Sequence, residues 1–582
     1  MRGAAPSDAA IHDGYAAWVA AHDTLTDADH DAIRRQAAAL GFRPLLSLLL
    51  PLGCAGAGHA AATLAAVRAQ LYPNWQLCIS GRSDADEGAV AAAARQEPRI
   101  TRLPPQDHAD PADAANAALA AADGAFAVLL QPGDRLPVQA LHDIAVALGA
   151  APGTDLLYTD EDLIDAEGGR SDPRFKTGWD PDLLLAGDCI GSLAVWRTGV
   201  MRGAGGLRRG FGGAAAYDLA LRATAAMLPD RIVHLPAVLC HRPRAAAPPF
   251  RDRLLGRDAA ASRRAVAERI GDAARIETAP LWPTARRIVW KVPEPAPLVS
   301  VIVPTRDRAE LLAACTAGVL HRTDYPALEL LVVDNESREK ATLALFDTLA
   351  ADPRVRVLHR PGPFNFPALN NDAVDAAAGE VIVLLNNDVE VADPSWLREM
   401  VGHALRPDVG AVGARLLYGD GTVQHGGIVL GPGLAATPVG RGAARGDPGY
   451  GGQLALARSL LAVTAACLVM RRAVWQEAGG MNAERFAVAF NDVDLCLRLG
   501  ELGYRIVWTP FAELFHLESQ TRGLPATAAE RAREQIEVDN LWYGWRHVFA
   551  DDPYQNANLA TDWLTPLHLV APRRRRPWRT EG

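Results

Sequence analysis

Val299-Ser300-Val301-Ile302-Val303-Pro304, followed by Thr305-Arg306-Asp307 (VSVIVPTRD, residues 299–307), decides the fold of this chain. The apolar run is β-branched, too short for a helix, and stops at a proline and a polar triplet. That is the signature of a buried strand ending at a sheet edge. LELLVVD (328–334) and EVIVLLN (380–386) have the same form, and alanine-rich, helix-favouring stretches lie between the runs. Alternating strand and helix predicts an α/β fold whose mostly parallel sheet is covered on both faces. Ligands of such sheets bind beyond the carboxyl ends of the strands, so the residues after each apolar run are the ones to inspect.

Working outward, the same pattern occurs earlier. Ser47-Leu-Leu-Leu-Pro51 reappears as Ser300-Val-Ile-Val-Pro304, and Tyr72-Pro73 as Tyr325-Pro326, both 253 residues on. Gly124–Leu130 (GAFAVLL) matches Gly379–Leu385 (GEVIVLL) at 255. Tyr217–Arg222 (YDLALR) matches Val493–Arg498 (VDLCLR) at 276, and Arg231–Pro236 matches Arg505–Pro510 at 274. Five matches in one order predict two tandem domains of one fold, the second carrying an insertion of about 20 residues after position 410. The expected organisation is a helical segment (1–40), a first domain (41–245), a Pro-rich connector (246–297), a second domain (298–550) and an extension with a basic tail (551–582).

The 582 residues are 49% hydrophobic and 22% charged, which excludes a disordered chain. A net charge of −9 argues against nucleic acid as a partner. Seven scattered cysteines without a CxxC pair argue against a zinc knuckle or disulfide framework and for a reducing compartment. The start of the chain has no signal-peptide pattern, and the uncharged stretch Pro44–Val67 is interrupted by Pro51 and glycines, so it predicts a strand and a helix rather than a span. Arg573–Arg576 is expected to be a solvated tail, with contact to acidic lipid as the alternative.

Three strand ends of the second domain carry polar groups: Thr305-Arg306-Asp307, Asp334-Asn335-Glu336-Ser337 and Asn386-Asn387-Asp388-Val389-Glu390. A carboxylate there can accept from a ribose or a base N–H, or hold a divalent cation that binds a diphosphate. No GxGxxG or GxxxxGK[ST] follows these strands, so phosphate charge must be met otherwise, and a metal at Asp388 is the simplest candidate. In Phe490-Asn491-Asp492-Val493-Asp494, Asp494 suits a helix cap and Asp492 a general base. His516 ends a further apolar run at the same edge and is a candidate metal ligand.

These motifs, with FNFPALNND (364–372), VQHGGIVLG (423–431), AVTAACLVMRR (462–472) and YRIVWTPFAELFHLES (504–519), resemble inverting nucleotide-sugar glycosyltransferases of family 2 with the GT-A fold. They are most similar to rhamnosyltransferase-like enzymes of bacterial surface polysaccharide assembly. The resemblance is close over about 295–560 and weaker over 42–245. It implies that Pro304, Thr305, Asp307, Asp334, Glu336 and Asn371 line the nucleotide-sugar pocket with Asn386, Asn387 and Asp388. The last three stand where the family has its Asp-X-Asp motif, here with Asn first. It implies Asp388 and His516 as ligands of Mg2+ or Mn2+, Asp492 as base, and His425, Gly426, Gly427 and Asn491 near the acceptor. Leu517 stands where close relatives often have a second histidine.

Carrying the offsets back, Thr305-Arg306-Asp307 becomes Leu52-Gly53-Cys54, Asp334 becomes Gly81, and Glu336 becomes Ser83. Asn386 and Asp388 become Gln131 and Gly133, and Asp492 becomes Ala216. His241 remains, expected to lack acidic partners, and Asp134 reads as a remnant. The first domain is therefore expected to be an inactive copy. The expected function is transfer of a sugar, rhamnose by resemblance, from a nucleoside-diphosphate sugar to a glycan or lipid-linked glycan. The setting would be the cytoplasm, peripheral to the membrane where the acceptor is lipid-linked. The alternatives are a non-catalytic carbohydrate-binding scaffold, a transferase with two active sites, and a nucleotidyltransferase.

Overall fold

Strand Val299–Thr305 is buried along its whole length. Val299, Val301 and Val303 pack into one core while Ile302 packs into the core on the other face, the two-residue period of a doubly covered strand. The computed structural model describes residues 8–53, 59–244, 258–431, 434–517, 527–561 and 567–579. Cys54, Glu518 and Ser519, which belong to motifs quoted above, lie outside the described residues.

Helices Asp8–His22 and Asp27–Ala39 precede the first sheet. Its strands are β1 (Leu46–Pro51), β2 (Trp75–Ser80), β3 (Ile100–Arg102), β4 (Phe126–Leu129), β5 (Leu156–Ile164), β6 (Arg170–Arg174), β7 (Ala194–Arg197) and β8 (Ile232–Pro243). The hairpin β9 (Ala274–Ala279) and β10 (Trp282–Trp290) follows. The second sheet is built from β11 (Val299–Thr305), β12 (Leu328–Asp334), β13 (Val355–His359), β14 (Val381–Leu385), β15 (Val389–Val391), β16 (Val409–Leu417) and β17 (Val423–His425). A hairpin of β18 (Ile428–Gly431) and β19 (Leu434–Pro438) intervenes, and β20 (Arg458–Leu460), β21 (Cys467–Arg471) and β22 (Arg505–His516) complete the sheet.

The orders are β3-β2-β1-β4-β7-β5, with β8 beside β5, and β13-β12-β11-β14-β21-β16, with β22 beside β16. Each sheet has four adjacent parallel strands, continued by antiparallel β7 or β21. Local devices recur as well. Ser47 Oγ accepts from the N–H of Gly124 at 2.9 Å, and Ser300 Oγ from that of Gly379 at 2.8 Å. A Cβ at either glycine would stand 2.7 Å or less from that serine's Oγ, so a tight strand crossing fixes Gly in both. Arg222 binds Asp218 and the carbonyl of Gly206, and Arg498 binds Asp494 and that of Gly480, at matching distances of 2.9 and 2.7 Å.

Several expectations change. The connector is structured: helix Ala259–Ile270 and the β9–β10 hairpin fill it, and Arg287 of β10 binds buried Glu399 of the second half at 2.7 Å. The basic run is not a solvated tail but a clasp on the N-terminal half. Arg574 binds Asp143 at 3.2 Å, Arg576 meets Asp23 and the carbonyl of His22, and Arg579 with the Trp578 indole N–H donates to buried Asp29. Three of the four arginines, Arg573, Arg574 and Arg576, are thus engaged within the protein, while Arg575 is exposed. Among the described residues no helix is long and apolar enough to cross a membrane.

Asp182 joins the halves. It is 5% exposed and receives Arg406 Nη1 at 2.6 Å, Arg406 Nη2 at 3.0 Å and Arg505 Nη1 at 2.8 Å. Burial pushes its carboxyl up, but the two guanidinium groups outweigh that and hold it well below the usual carboxylate range. Neighbouring Asp180 accepts from Ser459 N at 2.6 Å. Asp182→Ala leaves two buried cations short of an anion, and unfolding by denaturant is expected to show a loss of about 3–5 kcal/mol.

Candidate active site

The carboxyl ends of β11, β12 and β14 meet as the parallel register requires. Thr305 pairs with Asp334 across β11 and β12, and Asn387, just past β14, donates from Nδ2 to Thr305 Oγ1 at 3.0 Å. Asp334 is 4% exposed, accepts from the N–H of Ser337 at 2.9 Å, and faces His359 Nδ1 at 3.1 Å. Glu336 beside it is half-buried in the left-handed region, at φ 61°. Pro304 is buried within β11.

Asp388 leads into β15, which pairs antiparallel with the end of β22, Val389 opposite His516. His516 Nε2 stands 3.2 Å from Asp388 Oδ1 and 3.3 Å from Asn386 Nδ2. Gln424 Nε2 donates to the carbonyl of His516 at 3.2 Å, which orients its amide so that Oε1 accepts from His516 Nδ1 at 2.6 Å. With the Nδ1 proton fixed there, Nε2 and Asp388 Oδ1 are two acceptors face to face. Adjacent ligands of an octahedral ion at about 2.1 Å stand about 3 Å apart, so the pair fits a metal. Among the described residues no group of three His, Cys, Asp or Glu side chains forms a complete cage. Two protein ligands suit an ion whose other positions are taken by water and a diphosphate.

Asp492 lies at the second position of helix Asn491–Glu501. That helix starts earlier than expected: Phe490, at φ 58°, is the cap, and Asp494 instead sits inside the first turn, bound to Arg498 at 2.9 Å and to the Trp545 indole at 3.1 Å. Asp492 Oδ2 accepts from Ala465 N at 3.0 Å and Oδ1 from Val493 N at 2.9 Å. Burial pushes its carboxyl above the ordinary range, against those backbone donors. Ala466, the next residue after Ala465, accepts from the N–H of Asn386 at 3.0 Å. One dipeptide thus ties the Asp492 loop to the Asp388 strand end.

Other expected residues serve the frame. Asp307 Oδ1 accepts from the N–H groups of Glu339 and Arg338 at 2.8 and 2.6 Å; these donors, the Glu339 amide foremost, lower its carboxyl. It pins the loop after β12 rather than pointing at a ligand. Asn371 clamps the backbone of Met481 through both amide atoms, at 2.9 and 3.0 Å. His425 is 2% exposed, donates from Nδ1 to Ala414 O and accepts from Thr464 N at Nε2, both at 3.2 Å. Burial lowers it to about 4, so it is neutral and buttresses the 464–466 loop instead of meeting an acceptor. Gly426 and Gly427 are packing positions: added Cβ atoms would stand 2.7 Å from Leu454 Cδ2 and 1.8 Å from Leu460 Cδ1. Asn491 is buried and donates to the carbonyl of Val488 at 3.1 Å.

Two contributors escaped the sequence reading. In β17, side chains alternate, so Gln424 rather than His425 faces the metal-side histidine. Buried Glu537, from helix Ala528–Phe549, accepts from Val488 N and Ala489 N at 3.1 and 2.6 Å and fixes the loop entering Asp492. Its buried i, i+4, i+8 row with Leu541 and Trp545 was the available signal.

The first half differs at each point. Gly81 stands in the position of Asp334 with φ 80°, where a Cβ would lie 2.5 Å from Leu52 O. Arg135 pairs with His241 as Val389 pairs with His516, so Asp134, rather than Gly133, is the cross-strand counterpart of Asp388. His241 does have an acidic partner: Nδ1 meets Asp162 at 2.6 Å. Asp162 is wholly buried and already receives Arg170 Nε at 2.5 Å and Tyr15 OH at 2.8 Å, so the group is structural.

Comparison with known proteins agrees with this geometry. The model of glycosyl transferase family 2 matches residues 300–475. The O-antigen biosynthesis protein RfbC of Myxococcus xanthus is 39% identical over 573 residues, covering 96% of this chain and 44% of that protein. Protein y4gI of Sinorhizobium fredii is 40% identical over 531 residues, covering 89% and 58%. The pre-mycofactocin glycosyltransferase of Mycobacterium tuberculosis is 28% identical over 227 residues, covering 38% and 42%. The chain spans about half the length of these relatives. The match to the family 2 model lies in the second half of this α/β chain, from strand β11 through β21.

Proposed function

We propose that the chain transfers a sugar, with inversion, from a nucleoside-diphosphate sugar to a hydroxyl of a growing bacterial surface glycan, using one active site in residues 298–550. The observation that carries this is the Ala465-Ala466 tie, which joins a raised-pKa carboxylate to a cation-shaped carboxylate–imidazole pair. The relationship to an O-antigen biosynthesis protein supports the glycan class, and rhamnose as the sugar rests on the family resemblance alone. The repeated strand order and the recurring Ser–Gly and Arg–Asp devices support reading residues 41–245 as a duplicate whose transfer site is lost.

In this reading Asp334, with Thr305 and Glu336, receives the nucleoside. Asp388 and His516 would hold Mg2+ or Mn2+, which supplies neutralisation of the leaving diphosphate. Asp492 takes the acceptor hydroxyl proton as the oxygen attacks the anomeric carbon opposite the leaving group. The amides of Ala465 and Val493 orient its oxygens, and burial makes it a stronger base than a solvated carboxylate. Glu537 and His425 keep that geometry from outside the reacting centre.

Asp492→Asn keeps the shape and removes the base; transfer is expected to fall about 10²–10⁴-fold while donor binding persists, read by product formation beside calorimetric titration. The base works ionised and its folded pKa is raised, so kcat/KM should be lost as pH falls through a value above the ordinary ~3.9 of aspartate. A limb at or below that value removes Asp492 from the role. A nucleoside diphosphate with Mn2+ at about 100 times its Kd should stabilise the fold by about 2.7 kcal/mol, and the Mn2+-dependent part of this increment should be absent in EDTA and in Asp388→Ala. No increment for any nucleotide would favour a non-catalytic scaffold.

A further inference from the structure

The first half retains a cleft where the second half has its transfer site. It encloses about 110 Å³ and is lined by Gln131, Asp134, Glu161, Arg174, Ala216 and Arg242, among others. Gln131 and Ala216 are the sequence counterparts of Asn386 and Asp492, so the position is the same although the chemistry has changed.

Most of the charge in this cleft is committed. Glu161 Oε2 accepts from Ser192 N at 2.7 Å and from Lys176 Nζ at 3.5 Å, and Oε1 from Arg174 Nη1 at 3.4 Å. Lys176 also donates to the carbonyls of Thr159 and Ile190 at 2.5 Å. Asp134 Oδ2 caps its own turn by accepting from Gln131 N at 2.9 Å, and Asp188 accepts from Gly191 N at 2.9 Å. Arg242 is different. Its Nη2 makes a 3.3 Å bond to Gln131 Oε1, and Nε forms an ion pair with Asp134 Oδ1 at 3.7 Å, too long for a hydrogen bond. Its side chain is 14% exposed and lines the cleft.

Arg242 follows His241 directly and stands opposite Asp134, as Leu517 stands opposite Asp388. A guanidinium therefore reaches toward the counterparts of Asn386 and Asp388, the groups that flank the cation position in the second half. We propose that this cleft is a second binding site, which takes the phosphate of a sugar-phosphate or diphosphate ligand on Arg242 without a divalent cation. The fork geometry of Arg suits phosphate oxygens. Base recognition is absent, because Gly81 replaces Asp334 and its backbone leaves no room for a side chain. The ligand's phosphate comes either from a sugar nucleotide or from a lipid-linked glycan, and the site reads only the chemistry that they share.

The test is calorimetric titration of the full chain in EDTA with pyrophosphate, with UDP and with a sugar 1-phosphate, and of short-chain prenyl diphosphate below its micelle limit. Binding without metal is expected, with pyrophosphate and UDP alike within about threefold. Arg242→Ala should weaken it roughly tenfold or more, and Arg242→Gln, which keeps most of the side-chain volume, should do the same. Asp388→Ala should leave it unchanged. Tighter binding of the prenyl diphosphate than of UDP assigns the lipid-linked source; parity assigns the soluble one. No binding at millimolar ligand, selectivity for one nucleobase, or binding that survives both Arg242 variants overturns the proposal. Titration of UDP with Mn2+ on the Arg242 variants reads the second-half site separately, so failure there bears on the transfer reading and not on this one.

Discussion

Asp388 Oδ1 and His516 Nε2 stand 3.2 Å apart, and the surrounding fold is arranged to bring them together. The carboxylate comes from the end of β14 and the imidazole from the end of β22, strands far apart in sequence that meet only because β15 turns back to pair with β22. Gln424, from an inserted strand, then removes the alternative tautomer. Each element by itself leaves the pair free to separate; together they leave it no other arrangement.

The same economy connects the rest of the site by single hydrogen-bonded steps. Asp334 is beside Thr305, Thr305 accepts from Asn387, and Asn386 donates to Ala466, whose neighbour Ala465 donates to Asp492. Three carboxylates, Asp334, Asp388 and Asp492, are thereby placed on one edge by backbone geometry. Surroundings tune carboxylates differently here: Asp492 is buried among amides that only partly offset its desolvation, while the frame residue Asp307 is lowered by two amides.

The strands and the polar residues that end them were legible in the sequence, because buried parallel strands must be apolar throughout and a sheet edge must stop at polar groups. The sequence matches between the halves fall partly on packing positions: Ser47 with Gly124 and Asp218 with Arg222 make the same contacts as Ser300 with Gly379 and Asp494 with Arg498. What could not be read was direction. His425 and Gln424 are adjacent, both polar and both plausible at a site, yet the strand sends them to opposite faces. Asp307 and Asn371 belong to recognisable motifs, but motif membership does not separate a residue that touches ligand from one that ties down the loop beside it. Long-range partners were also hidden: nothing near Arg574 or Arg579 in sequence announces Asp143 and Asp29.

The join between the halves bears on what the first half contributes to the second. Asp182 of the first half holds Arg406 and Arg505 of the second, and Arg505 begins β22, the strand that ends at His516. The first half is thus fastened to the root of the strand that ends at His516. Ser459 of β20, which pairs with β22, is fastened in the same way to Asp180. Removing the first half would strip these buried cations of their anions at a strand whose position the site requires, a cost that is paid whether or not the first half binds anything. Among the described residues Gly81 and Ala216 hold nothing in the second half, whereas Asp182 holds two of its arginines, so the contribution of the first half to the second runs through Asp182.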